Sequence, residues 1–223
     1  MAAFTGNCFE CKDTGRCHYC DRGLAVIAEQ EERERQAAIR EVIENAGLPR
    51  RFHDLTFATY PGTQGVEVEQ FVTSWDGQRN LLLLGKYGVG KTGLIAAALN
   101  VVAPRYVGQY RYPFMFTSTV NLTDRLRAGY ADGTFAETMH NAQTVKLLIL
   151  DDLGAEKPTE WVQERLFAII DHRYGNQLPI WATSNLSPDG LVAQIGERVF
   201  WRLAEECEVI QVNGKNLRMG KAA

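Results

Sequence analysis

The sequence predicts an α/β fold built on a mostly parallel sheet covered by helices on both faces, and three observations carry that expectation. The runs Leu81–Leu84 and Val145–Leu150 are apolar, Lys146 apart, without polar alternation, as strands buried on both faces are. Longer amphipathic segments separate such runs, which is the pattern of βαβ units. The first run passes directly into Gly85-Lys86-Tyr87-Gly88-Val89-Gly90-Lys91-Thr92, a glycine loop that opens a helix.

In chain order, residues 1–23 form a Cys-, Gly- and Asp-rich stretch with no helical or strand period. Cys8-x-x-Cys11 and Cys17-x-x-Cys20 can present four thiolates to one tetrahedral Zn²⁺. An Fe–S cluster, disulfides and free thiols are the competing readings. So short a segment has no core, so metal binding would supply its folding energy. Residues 24–49 read as a linker helix, with Glu29–Arg33 and Glu31–Arg35 spaced four apart and Ala46-Gly47-Leu48-Pro49 as its stop. It is either a solvated spacer or a docking helix. Residues 50–223 then hold the sheet: Leu81–Leu84, Pro113–Thr117, Val145–Leu150, Pro179–Thr183 and Glu208–Val212 as strands. Lys91–Val102, Val120–Ala128, Thr159–Tyr174, Pro188–Ile195 and Arg198–Glu206 are the intervening helices.

Composition narrows the class. The 223 residues are 45% hydrophobic and 23% charged, enough for one well-buried domain with a small appendage. No run approaches the roughly 20 apolar residues of a membrane span, and the N-terminus does not read as a signal peptide. A cytoplasmic protein is expected. A net charge of −3 argues against wholesale electrostatic binding of nucleic acid, so any such contact must be local. Cys207, apart from the cysteine cluster, is expected to be a buried structural thiol.

Gly85-x-x-x-x-Gly90-Lys91-Thr92 sits between strand and helix, where backbone N–H groups and the helix N-terminus can cradle phosphates. Lys91 would bridge the β- and γ-phosphates of ATP, and Thr92 would ligate Mg²⁺. The strand ending in Asp151-Asp152 supplies the metal side, Asp151 holding Mg²⁺ and Asp152 orienting and deprotonating the attacking water. Glu156 is the alternative base. Asn185, at the end of the next strand, would position that water or touch the γ-phosphate, since Ser187-Pro188 already provides the following helix cap.

These elements, in this order, resemble the AAA+ ATPases. Ala46-Gly47-Leu48-Pro49-Arg50-Arg51-Phe52, the stretch Leu150–Lys157 with Trp161, Asp171–Tyr174, Thr183–Leu186 and Gly196–Leu203 are similar to its DnaC/IstB-like branch. The resemblance spans about Ala46 to Arg218. It implies a five-stranded parallel sheet in the order 5-1-4-3-2, and homo-oligomers stacked head-to-tail in open spirals with ATP at each junction. It further implies an arginine supplied in trans, Arg202 by motif position and Arg198 second. Members bind single-stranded DNA inside the spiral. Arg125, Arg127 and Tyr130 occupy the matching insertion here, unless they are merely a solvated helix end. Some loaders of the family carry an N-terminal zinc module that contacts a hexameric replicative helicase. The resemblance therefore implies a helicase loader, with a transposase-assisting ATPase as the alternative and a zinc-dependent DNA-binding or adaptor protein as a non-enzymatic third.

Overall fold

The computed structural model describes residues 21–60, 65–205 and 207–217, with the backbone alone for 21–24. The expected zinc ligands Cys8, Cys11, Cys17 and Cys20 lie outside them. The chain divides into two compact units, one ending at Glu41 and the other beginning at Val42. Helix α1 runs Asp21–Asn45. On its exposed surface Arg33 meets Glu29 at 2.6 Å as the spacing predicts, whereas Arg35 takes Glu32, three residues away, at 3.8 Å. The helix stops where expected, and Gly47 adopts φ +86° there. Residues 46–49, assigned above to the linker, belong to the second unit, where Phe116 N–H donates to Ala46 O at 2.6 Å.

The second unit continues with α2 (Gly65–Thr73), β1 (Asn80–Leu84), α3 (Lys91–Val102), β2 (Phe114–Ser118) and α4 (Thr119–Asp132). Next come α5 (Phe135–Thr144), β3 (Leu147–Asp151), α6 (Glu160–Gly175), β4 (Ile180–Ser184), α7 (Pro188–Ile195), α8 (Glu197–Ala204) and β5 (Cys207–Gln211). All strand pairs are parallel, in the order β2-β3-β4-β1-β5, which read from the other edge is the expected 5-1-4-3-2. No helix among the described residues is long and apolar enough to cross a membrane.

The apolar runs became the central strands because both of their faces are covered. Leu81–Leu84 and Leu147–Leu150 are buried throughout, and α3 is so enclosed that Leu94–Leu99 are wholly buried. The sequence reading missed α2 and α5. In α5 the inward positions are Thr138, Met139 and Ala142, too small and polar to register as an apolar stripe. One buried cation ties the lower edge of the sheet together. The Arg173 guanidinium, fully buried, donates to the carbonyls of Ala142, Val145 and Pro179 at 2.7–3.0 Å, and burial pushes its pKa down to about 9. Cys207 is a free thiol that opens β5 at the sheet's edge, half-buried and packed against the core. Burial of the thiol still pushes its pKa up to about 12.

Candidate nucleotide site

The glycine loop leaves the carboxyl end of β1 and turns into α3. Gly88 and Gly90 take φ +82° and +98°, backbone that side chains resist. A Cβ on Gly90 would run into the Tyr60 hydroxyl, and one on Gly88 into the Asn216 side chain. Two distant segments therefore brace the loop. Tyr60 Oη donates to Val89 O at 3.0 Å, and Leu217 N–H donates to Gly88 O at 2.9 Å. Burial pushes the Tyr60 phenol up to about 12, so it remains a neutral donor at physiological pH. Nothing in the local sequence marks Tyr60 or Leu217 for this role, because each reaches the loop only through the fold.

At the first turn of α3 the predicted polar residues converge. Lys91 Nζ donates to Gly85 O at 2.7 Å, to Lys86 O at 3.1 Å and to Asn185 Oδ1 at 2.7 Å. Asn185 Nδ2 in turn donates to Asp152 Oδ1 at 3.0 Å. The loop lysine, the residue after β4 and the second carboxylate thus form one continuous chain. Beside it, Thr92 Oγ1 donates to Asp151 Oδ1 at 3.0 Å. Thr183, which sequence reasoning missed, binds the same carboxylate: its hydroxyl donates to Asp151 Oδ1 at 2.7 Å and accepts from Asp152 N–H at 2.9 Å. That second bond helps hold Asp152 at φ +52°, and the buried Thr119 hydroxyl donates to Asp152 O at 3.0 Å from the other side. Asp152 therefore faces the cavity from a fixed backbone. Glu156 does not: its Oε2 accepts from Gly154 N–H at 3.1 Å within the turn.

Burial raises the Asp151 carboxyl above the ordinary carboxylate value, with the neighbouring Asp152 charge adding to the shift and Thr183 opposing it. A raised carboxyl favours folding only while protonated, and that contribution is lost as pH rises through the folded-state value. At neutral pH, with no cation bound, the ionised Asp151 is a net cost. Asp151→Asn keeps an oxygen for both threonine hydroxyls and removes the charge. The nucleotide-free variant is therefore expected to melt at the same or a slightly higher temperature than the parent near pH 7. A melting point several degrees lower in a thermal scan would contradict this. The donors fit a hard divalent cation such as Mg²⁺, which takes carboxylate and hydroxyl oxygens. Asp151 and Thr92 would hold it, where it would neutralise phosphate charge.

The loop borders a cavity of about 410 Å³. Its lining combines polar groups, from the loop residues Gly88, Gly90, Lys91 and Thr92 and from Arg51, Asp152 and Asn185, with the apolar side chains of Phe52, Leu55 and Leu217 and the rings of Tyr60 and Tyr87. Gly85, Lys86 and Val89 build the loop beneath it, the first two holding Lys91 through their carbonyls and Val89 being buried. Polar groups for phosphates together with apolar side chains for a base suit a nucleoside triphosphate.

Arg202 lies elsewhere. Its Nε donates to Asp171 Oδ1 at 2.6 Å, its guanidinium stands 4.9 Å from the Phe167 ring centroid, and Nη1 donates to Arg198 O at 3.2 Å. Asn80, which opens β1, bonds the carbonyls of Leu203 and Glu205 on the same connection. Arg202 is thus at the amino edge of the sheet and the glycine loop at its carboxyl edge, five residues of β1 away, roughly 16 Å. Of the three residues of the insertion, Arg125 separates from the other two. Arg127 lies 4.9 Å from the Trp161 ring and near Asp124 at 3.7 Å, and Tyr130 stacks on Phe135 at 4.4 Å, whereas Arg125 lines a different groove.

Comparisons with known proteins agree with this geometry. The replicative helicase loader DnaI of Bacillus subtilis (strain 168) is 33% identical over 153 residues, covering 63% of this chain and 48% of DnaI. A protein named for ATP binding in insertion sequence IS1162 of Pseudomonas fluorescens is 37% identical over 117 residues, covering 52% of this chain and 48% of that protein. The chain thus spans about half the length of these curated relatives. Among solved structures, the DnaC helicase loader superposes with a TM-score of 0.64 at 25% identity, covering 74% of this chain and all of that one. AMPPCP-bound DnaA from Aquifex aeolicus superposes with a TM-score of 0.62 at 23% identity, covering 76% of this chain and 52% of that one, a likeness of fold alone. The IstB-like ATP binding protein profile matches residues 12–223, almost the whole sequence, and the chain belongs to that AAA+ family.

Proposed function

We propose that the chain is an ATP-hydrolysing loader that docks a hexameric replicative DNA helicase through a zinc-bearing N-terminus and guides it onto single-stranded DNA. The observation that carries the ATPase part is the bonded chain Lys91–Asn185–Asp152 beside the Thr92–Asp151 pair. Lys91, Asn185 and Asp152 are linked side by side at one cavity, which supports reading them as phosphate-binding cation, polar sensor and base. Asp152 would take the proton of the attacking water, with Asn185 orienting both. Arg202 would complete the site of a neighbouring subunit. Its place at the opposite sheet edge from its own cavity supports head-to-tail assembly, because a heterologous contact brings unlike edges together.

The likeness to DnaI and DnaC supports the loader reading. Cys8, Cys11, Cys17 and Cys20 would hold one Zn²⁺, and the protein would work in the cytoplasm. The IS1162 relative supports the runner-up, a transposase-assisting ATPase. A pull-down with the intact chain and with a Cys8→Ser/Cys11→Ser variant separates them. The intact chain is expected to carry about one zinc per molecule by elemental analysis and to retain a replicative helicase. The variant is expected to lose both while still binding ATP. Retention of a transposase instead would replace the loader reading, and helicase capture indifferent to the cysteines would remove the zinc module's role.

A further inference from the structure

Arg125 points away from the aromatic cluster of Arg127, Tyr130 and Trp161 and into a separate groove of about 420 Å³. This groove lies between the start of β2, the end of α5 and residues 45–47. Its charge is one-sided. Arg125 and Lys146 line it, no aspartate or glutamate does, and the chain as a whole carries a net charge of −3. Arg125 forms no ion pair among the described residues. Two tyrosines stand at the groove with much of their surface open, Tyr110 at 43% and Tyr112 at 56% exposure. Each is accompanied by a cation: Lys146 Nζ lies 4.7 Å from the Tyr110 ring centroid, and Arg111 Cζ 5.2 Å from that of Tyr112. The amides of Asn45 and Asn141 complete the wall.

We propose that this groove holds one nucleotide of a single-stranded nucleic acid, its base stacked on Tyr110 or Tyr112 and its phosphates on Arg125 and Lys146. Flat aromatic faces interleaved with cations are what a single strand needs, since every base offers a π-face and every linkage a negative charge. The volume suits a small ligand of nucleotide size. An acidic peptide would use the two cations and leave the tyrosine faces without a function. The site is independent of ATP. Phe114 pairs with Leu147 in register, so Tyr112 and Lys146 lie at the amino edge of β2 and β3, whereas the triphosphate cavity opens at the carboxyl edge. The inference rests on the reading that the chain carries a single strand, and adds a second contact on the far flank of α4.

The test is an anisotropy titration of the full-length chain, with ATP and Mg²⁺, against a labelled oligodeoxythymidine at several salt concentrations. Tyr110→Ala/Tyr112→Ala is expected to weaken binding by about tenfold, the loss of one stacked base, while Tyr110→Phe/Tyr112→Phe keeps it. Arg125→Gln/Lys146→Gln is expected to lower the slope of log affinity against log salt by about 1.4, or 0.7 per phosphate contact. ATP affinity should not change in any of these variants. If the parent binds, and all three variants bind within twofold of it with an unchanged slope, the groove is not a contact. Competition by polyglutamate, with the alanine variant binding the oligonucleotide normally, would likewise overturn it in favour of an acidic segment. If the parent binds no oligonucleotide at all, the single-strand reading itself falls, and this inference with it.

Discussion

Replacing Lys91 with alanine is expected to weaken ATP binding on the order of a hundredfold. The ammonium sits at the centre of the loop, and a charge-assisted bond to phosphate is worth about 1.5–3 kcal/mol. Truncation also leaves the Gly85 and Lys86 carbonyls and Asn185 Oδ1 without their donor. Lys91 is 5% exposed and lines the cavity, so its truncation would widen the cavity beside those acceptors, and the loop should loosen as well. A calorimetric titration decides the matter. Binding within threefold of the parent would refute the phosphate role of the loop, whatever its resemblance to other glycine loops.

Arg202→Ala is expected to leave ATP binding intact and to reduce turnover by about a thousandfold, the lower range for an arginine supplied across a junction. The mixing experiment is more discriminating. Asp152→Asn should also be inactive alone, because it lacks the base. Combined in equal amounts, the two variants form some junctions in which an intact Asp152 faces an intact Arg202. Turnover should then recover to roughly a quarter of the parent's if subunits stack at random head to tail. Absence of recovery, with assembly shown intact by sedimentation, would assign Arg202 to the local task its contacts already describe: pairing with Asp171 and packing on Phe167.

Much of this site was legible in the sequence because its chemistry fixes both spacing and context. A glycine loop must follow a strand and open a helix to reach phosphates, and two carboxylates must end a neighbouring strand to reach the same cation. Thr183 escaped notice for the opposite reason. A threonine in a strand is ordinary β-sheet composition, and only the parallel neighbour β3 turns its hydroxyl toward Asp151. Tyr60 and Leu217 were invisible because they reach the loop from far along the chain. The grouping of Arg125 with Arg127 was avoidable. Residues two apart on a helix do not share a face, whereas Arg127 and Tyr130, three apart, do. The fold followed the apolar runs closely, but a helix such as α5, whose buried face is Thr138, Met139 and Ala142, has too little hydrophobic contrast to be seen.

The separation of the glycine loop and Arg202 to opposite edges of one sheet gives each chain a direction. In any open row of such chains, one terminal member would present a loaded cavity with no arginine facing it. The other would present an arginine with nothing to complete. The row would always hold one fewer working engine than it has members, and its two tips would be chemically different. A partner could therefore cap one tip and not the other, stopping growth there while the rest of the row continues to turn over.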